Sequence, residues 1–320
     1  MQALPYVSVI VPIYNQQRYL RDCLRCLQWQ THQNLQILAV NDGSTDASGE
    51  ILREFAAADA RIEVLEQPNG GLVSALLRGI AAARGEWICF VDPDDLVGEE
   101  LVASFVAGIT DGCDLVATGF YYDFEGTVTP HPLREDAFYD ADALRQMRNC
   151  FVPQDHTQAP LLFHARWNKL YRTALVQKIA AHLSQHLHIT MGEDSLFTYL
   201  ALCYADGATV LCRPNQYYYN VSNASSMVNA ARDTYLQKIN AVRDRLTELT
   251  YRFGTDPAVA QQLYRNLLAG LENRPAPLAA HLKYSAAARL ARRAKRLLLR
   301  LLGRPASPAA YRRLRGRLRA

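Results

Sequence analysis

The chain has 320 residues, 49% hydrophobic and 21% charged, the balance of an ordinary globular protein long enough for one large or two modest domains. It holds no run of eighteen apolar residues and no basic segment followed by an apolar signal core, so the expectation is a cytoplasmic protein without a spanning helix. The net charge of +4 hides a polarity: residues 281–320 carry 13 Lys or Arg and no acid, leaving 22 basic against 31 acidic residues before them.

Seven cysteines scattered through apolar segments suit a reducing compartment better than a disulfide framework. Cys23 and Cys26 form a C-x-x-C, but no second pair follows, and Leu20, Cys23, Leu24 and Leu27 recur with the spacing of a helix core.

Tyr6 to Ile13 is a β-branched run that predicts a fully buried first strand, with Pro12 ending its ladder and Tyr14 and Asn15 on the loop beyond. An amphipathic helix follows from about Gln17 to Gln30. Leu35 to Val40 predicts a second strand ending in Asn41-Asp42-Gly43-Ser44-Thr45-Asp46, a turn rich in capping side chains. A third strand at Ile62 to Leu65 leads to Pro68-Asn69-Gly70-Gly71 and a helix through Arg84. The apolar run Trp87 to Val91 is the fourth strand, and it stops at Asp92-Pro93-Asp94-Asp95. Carboxylates crowded at a strand end repel one another unless a cation or hydrogen-bond donors sit between them, which points to a divalent ion. Helix capping by Asp94 or Asp95, before a helix beginning near Gly98, is the competing explanation.

Strands alternating with helices imply a parallel α/β sheet, in which ligands bind beyond the carboxyl ends of the strands. Tyr14-Asn15, Asp42, Asn69 and Asp92 to Asp95 all fall at such ends. Each is explained as a strand-to-helix turn; the acidity of the fourth is not.

Five segments in order, Val7 to Asn15, Val40 to Asp46, Asn69 to Leu72, Gly85 to Ile88 and Val91 to Asp95, resemble family 2 glycosyltransferases of the GT-A fold. The resemblance is close over about the first 110 residues and reaches about residue 228. It implies an α/β, Rossmann-like fold, a mostly parallel sheet with helices on both faces, to which the residue pattern beyond it adds a helical C-terminal extension. Residues 1–228 would be the catalytic domain, with a nucleotide-sugar-binding half at 1–112 and an acceptor half at 113–228, and 229–320 a helical region ending in a basic tail. Carried over by position, the resemblance implies that Pro12, Tyr14, Asn15 and Asn69 line the nucleotide pocket and that Asp42 hydrogen-bonds a uracil-type base. It places Asp92 by ribose and metal, and Asp94 as ligand of the Mn2+ or Mg2+ ion that bridges a UDP-linked donor's diphosphate, a hard cation suited to carboxylate and phosphate oxygens. One departure stands out: where many relatives carry Arg-Asn, this chain has Leu76-Leu77, followed by Arg78.

Further on, Leu115 to Tyr122 predicts another strand, Asp123 to Thr127 a hairpin tip, and Asp140 to Cys150 a helix. Trp167 to Tyr171 resembles a family segment below the acceptor site and reads locally as the start of a structural helix. Glu193-Asp194 resembles the family's Glu-Asp motif, whose aspartate is the general base; the resemblance implies that role for Asp194, with Glu193 as its support. Both residues also suit the start of the helix Ser195 to Cys203. Among His164, His182, His186 and His188, His182 and His186 share a helical face, and the expectation is exposure to solvent. Tyr217-Tyr218-Tyr219 followed by Val221 to Met227 resembles a segment that closes over donor and acceptor; the tyrosines alternate as an edge strand does, with some of them core, and the Ser/Asn loop is the more functional half.

Asp233 to Phe253 and Pro257 to Leu271 predict two helices. In residues 283–302, Leu290, Ala294, Leu297, Leu298, Leu301 and Leu302 gather on one side of a helix and Arg289, Arg292, Arg293, Arg296 and Arg300 on another. That pattern suits an anionic membrane surface, or alternatively docking on the acidic part of the chain; no nucleic-acid motif accompanies it. The final Arg-rich segment reads as disordered. The expectation is an inverting glycosyltransferase, peripheral on the inner face of the cytoplasmic membrane, acting on a glycan or lipid-linked saccharide. Competing classes are nucleotidyl transfer, disfavoured because Pro12 to Arg18 holds no glycine, and a membrane-surface scaffold.

Overall fold

The computed structural model describes residues 4–133, 136–149, 165–185, 192–222, 232–254, 261 and 309–319. β1 (Val7–Ile13) is buried along its whole length and pairs in parallel with β2 (Leu35–Asp42) on one side and β4 (Trp87–Phe90) on the other, while β3 (Ile62–Gln67) adds outside β2. Three helices, α1 (Leu20–Gln28), α2 (Ser48–Ala58) and α3 (Leu72–Ala82), connect them. Because neighbouring strand residues face opposite ways, Ile10 packs with Val73, Leu76 and Ile80 of α3, whereas Val9 and Val11 pack with Leu20 and Leu24 of α1 and Leu52 of α2. Leu76, at the departure noted above, is core.

Pro12 does not end β1. Pairing with β2 runs through Pro12 and Ile13, while pairing with β4 stops at Ile10, whose carbonyl accepts from Val91. Successive residues of a central strand bond to alternate neighbours, so the N–H that proline lacks would have pointed at β4, on the side where the ladder has already opened.

The second half continues the same sheet. Its elements are β5 (Leu96–Val97), α4 (Leu101–Ala107), β6 (Leu115–Phe124), β7 (Thr127–His131), β8 (Ala137–Asp140), α5 (Ala141–Asn149), β9 (Lys169–Arg172), α6 (Thr173–Leu183), α7 (Glu193–Tyr204), β10 (Gly207–Asn220) and α8 (Arg232–Arg252). The strand order is β3-β2-β1-β4-β9-β6-β10-β5, with β7 on β6 and β8 on β10. The hairpin tip forms as expected, with Glu125 and Gly126 both at positive φ and Gly126 N–H donating to Asp123.

Several elements differ from expectation. Trp167 to Tyr171 leads into a strand: β9 is antiparallel to both β4 and β6 and joins the two halves into one sheet. Two flanking ladders stabilise what four residues of local sequence would not. β10 is interior, with β6 on one side and β5 and β8 on the other, and Tyr217 and Tyr218 are both buried. The helix expected near Gly98 starts at Leu101, after β5. His182 is buried beside the Tyr204 hydroxyl rather than solvent-facing; His164, His186 and His188 lie outside the described residues.

The last Arg-rich segment is ordered. It forms α9 (Ala309–Arg319), which buries Tyr311 and Leu314. Tyr311 donates to the Asp123 carboxylate and packs on Tyr218, while Arg317 lies 4.0 Å from the Trp29 ring and pairs with Glu99 at 3.1 Å. Apolar burial and a cation–aromatic contact outweigh the segment's charge. Residues 257–260, 262–271, 283–302 and 223–227 lie outside the described residues, and among those described no helix is long and apolar enough to cross a membrane.

Candidate active site

The order β3-β2-β1-β4 places a topological switch point between β1 and β4, and the polar strand ends converge beyond it. At the end of β1, Asn15 takes positive φ; its side-chain oxygen accepts from Thr45 N–H at 2.8 Å and its own N–H donates to Ser44 Oγ at 3.0 Å. Tyr14 is exposed and Pro12 buried. Asp42 is buried, and its carboxylate accepts from Gln67 Nε2 at 2.7 Å, Gly70 N–H at 2.8 Å and Gly71 N–H at 2.9 Å. Three of roughly four acceptor positions are thus used in holding the Asn-Gly-Gly turn. Gly43, also at positive φ, lets that turn approach: a Cβ there would come within 2.7 Å of Asn69 N. Asn69 is exposed beside it.

At the end of β4 the three aspartates separate. Asp95 is 1% exposed; it accepts from the Tyr217 hydroxyl at 2.7 Å and from Asn220 N–H at 2.7 Å. Burial first, and then the charges of Asp94 and Asp92, push its carboxyl well above the usual range. It caps no helix; it ties this turn to the end of β10. Asn220 Nδ2 adds a bond to the Asp94 carbonyl at 3.1 Å. Asp94 and Asp92 keep partly exposed side chains.

The second acidic turn starts α7, which begins after Gly192, whose left-handed backbone turns the chain so that Glu193 and Asp194 open the helix. Edge-to-face contacts of Phe90 with Tyr171 and Phe197, and of Tyr171 with Phe197, lock this helix start against the end of β4. Between the two acidic turns sits Arg166, 1% exposed, with Nη2 donating to Asp92 at 3.0 Å and Nη1 donating to Asp194. Burial opposes its charge, but the fields of Asp194, Asp92 and Glu193 more than offset that and raise its pKa.

Burial raises the Asp194 carboxyl above its ordinary value, with Arg166 pulling the other way. Glu193 is pushed up to about 7, chiefly by burial and then by Asp194. Lys169, wholly buried and donating to Asn168 Oδ1 at 2.6 Å, is brought down to about 7 by burial. Tyr219 belongs to the same field: burial, then Asp95, Asp92, Asp94 and Asp194, raise its phenol. Asp92, Asp94 and Asp194 are therefore brought together, while Pro12, Tyr14, Asn15, Asp42 and Asn69 line the neighbouring strand ends. Arg78 is exposed on α3.

No cluster of three or more His, Cys, Asp or Glu able to hold a metal occurs among the described residues. Asp95 is held inside the protein by Tyr217 and Asn220 and one oxygen of Asp92 by Arg166, and the partly exposed side chains of this turn are those of Asp92 and Asp94. One or two carboxylates completed by substrate phosphates is a donor set for a hard cation that arrives with a diphosphate, and the residues fit that group. Cys23 and Cys26 are buried, and burial pushes their thiols up, Cys26 to about 12, which removes them from redox chemistry.

Sequence does not single out Arg166 or Asn220, and it marks Tyr217 only as part of the Tyr217-Tyr218-Tyr219 run. A lone arginine ordinarily signals solvent; the available cue was its place just before the Trp167 to Tyr171 segment.

The chain is 36% identical over 193 residues to glycosyltransferase GlyA of Streptococcus pneumoniae, covering 59% of this chain and 27% of that protein. It is 32% identical over 226 residues to the putative glycosyltransferase EpsH of Bacillus subtilis, 69% of this chain and 62% of that one. It thus spans less than two thirds of each. Among solved structures, S. aureus TarS 1-349 in complex with UDP-GlcNAc matches with a TM-score of 0.61 at 22% identity, over 88% of this chain and 76% of that one, a likeness of fold. The family model described as "Glycosyl transferase family 2" matches residues 8–180, more than half of the chain. With the sheet order, the acidic turn after β4 and the Glu-Asp start of α7 in place, the chain belongs to glycosyl transferase family 2.

Proposed function

We propose that this chain is a metal-dependent, inverting glycosyltransferase that moves a sugar from a UDP-linked donor to a hydroxyl of a glycan or lipid-linked saccharide in cell-surface polysaccharide synthesis. The observation that carries the reading is the pair of acidic turns, Asp92 to Asp95 and Glu193-Asp194, brought together by Arg166, which pairs with both. UDP-GlcNAc bound by TarS, a protein of similar fold, supports the UDP-linked donor.

In this reading the donor nucleotide lies against Pro12, Tyr14, Asn15, Asp42 and Asn69, with Asp92 at the ribose. The remaining acceptor position of Asp42 takes a base N–H. Mn2+ or Mg2+ held by Asp94 and Asp92 with the diphosphate would neutralise charge on the leaving group. An acceptor oxygen forms its bond to the anomeric carbon as its proton passes to a carboxylate oxygen of Asp194. The bond from that carbon to the phosphate oxygen breaks, and the nucleoside diphosphate leaves with the electron pair. One displacement with one base inverts the anomeric configuration. Residues 283–302 would hold the protein on an anionic membrane surface at the cytoplasmic face.

The test is a panel of nucleotide sugars, scored for thermal stabilisation with and without Mn2+ and for slow donor hydrolysis, which needs no acceptor. Stabilisation and hydrolysis confined to UDP-sugars with metal are expected; a catalytically silent scaffold would give neither.

A further inference from the structure

We propose that Arg166 is a positioning residue for transfer, a buried fork that fixes the base Asp194 relative to the donor-side carboxylate Asp92. The inference rests on the reading of Asp194 as the base.

A buried arginine with a purely structural task is most simply satisfied by one carboxylate gripped with both arms. Arg166 is not used that way. Its two terminal nitrogens go to carboxylates on different elements, Nη2 to the turn after β4 and Nη1 to the first turn of α7. Nε, equally buried, has no hydrogen-bond partner among the described residues, so the fork is committed to bridging rather than to saturating its own donors. The group is held from below: its guanidinium carbon lies 5.5 Å from the centroid of the Phe90 ring, and its carbonyl accepts from the Tyr171 hydroxyl at 3.1 Å. Phe90 and Tyr171 are two members of the aromatic triad that seats α7, so the scaffold that places Asp194 also places Arg166.

The consequence is geometric. The base and the donor site are contributed by segments far apart in the chain, and a planar, always-charged guanidinium sets the spacing between them. Lysine, a point charge on a flexible stem, supplies the charge without the fork. A base misplaced by about 1 Å can cost on the order of 100-fold in rate.

The experiment compares Arg166→Met, Arg166→Lys, Asp194→Asn and the double variant Arg166→Met/Asp194→Asn in the full chain. Each is measured for hydrolysis of the UDP-sugar that the unaltered chain turns over fastest, for UDP binding with Mn2+ by calorimetry, and for cooperative melting. We expect Arg166→Met to lower kcat by on the order of 100-fold, Arg166→Lys to recover about 10-fold of that, and both to bind UDP with Mn2+ within about 10-fold of the unaltered chain. In the Asp194→Asn background, Arg166→Met should cost less than about 3-fold more, because residues acting as one unit are not additive. An undiminished kcat in Arg166→Met, or the same loss with and without Asp194, overturns the proposal. If Arg166→Met does not melt cooperatively, Arg166→Lys decides: folded with reduced kcat supports the role, and full kcat overturns it. Full activity in Asp194→Asn would instead remove the base assignment and this inference with it.

Discussion

The hydroxyl of Tyr217 donates to the buried carboxyl of Asp95 at 2.7 Å and accepts the backbone N–H of Asp92 at 3.1 Å. One phenol on β10 thus holds both ends of the acidic turn after β4. Tyr217→Phe removes it and leaves a buried acceptor short of a partner, a cost of about 1–3 kcal/mol. Chemical denaturation should show that loss, and calorimetry a weaker Mn2+-dependent affinity for UDP.

Asp94 and Asp95 are adjacent but should respond oppositely. Asp95 accepts bonds inside the protein, and burial already disfavours its charge. Asp95→Asn is therefore expected to fold and to keep metal-dependent UDP binding. Asp94→Ala should abolish transfer and weaken that binding; full transfer by this variant would remove Asp94 as a ligand.

Asp194→Ala should lower transfer by about 10²- to 10⁴-fold, the usual contribution of a general base, while leaving UDP affinity nearly unchanged. A variant with weakened UDP binding and normal turnover of bound donor would contradict the assignment.

The pH profile follows from the direction of the shifts. The base must be a carboxylate, and burial raises the pKa of Asp194 and takes Glu193 to about 7. Activity should fall as pH drops, with its acid limb above the ordinary carboxylate range. Glu193→Gln removes the group titrating near 7, so the limb in kcat should move to lower pH, as a rate profile at saturating donor would detect.

Much of the first half of the sheet was legible in the sequence because β1, β2 and β4 are short apolar runs that end in unmistakable polar turns. The resemblance assigned Asp92 and Asp94 separate roles by position, but the contacts that distinguish the three aspartates in the fold were not legible. Asp92, Asp94 and Asp95 look alike in sequence, and what separates them is contributed by Arg166, Tyr217 and Asn220 from remote segments. β9 was missed because its stability comes from ladders on both sides rather than from any pattern in Lys169 to Arg172. α9 was missed because charge dominates its composition, while its docking depends on Tyr311, Leu314 and Arg317.

Docking of α9 also changes how the basic tail can be tested. α8 ends at Arg252 and α9 begins at Ala309, and α9 is fastened to β10 and α1 through Tyr218 and Trp29. A truncation after residue 282 would therefore strip α9, a structural clasp, together with the basic segment. Replacing Arg289, Arg292, Arg293, Arg296 and Arg300 by glutamine, with α9 intact, should release the chain from anionic vesicles without lowering its melting temperature. Unchanged partitioning would reject the membrane role, whereas Leu314→Ala should lower stability by about 2 kcal/mol and leave partitioning alone. If residues 283–302 bind an anionic membrane, the fixed positions of α8 and α9 would set how the acidic turns are presented to that surface as well as whether they reach it.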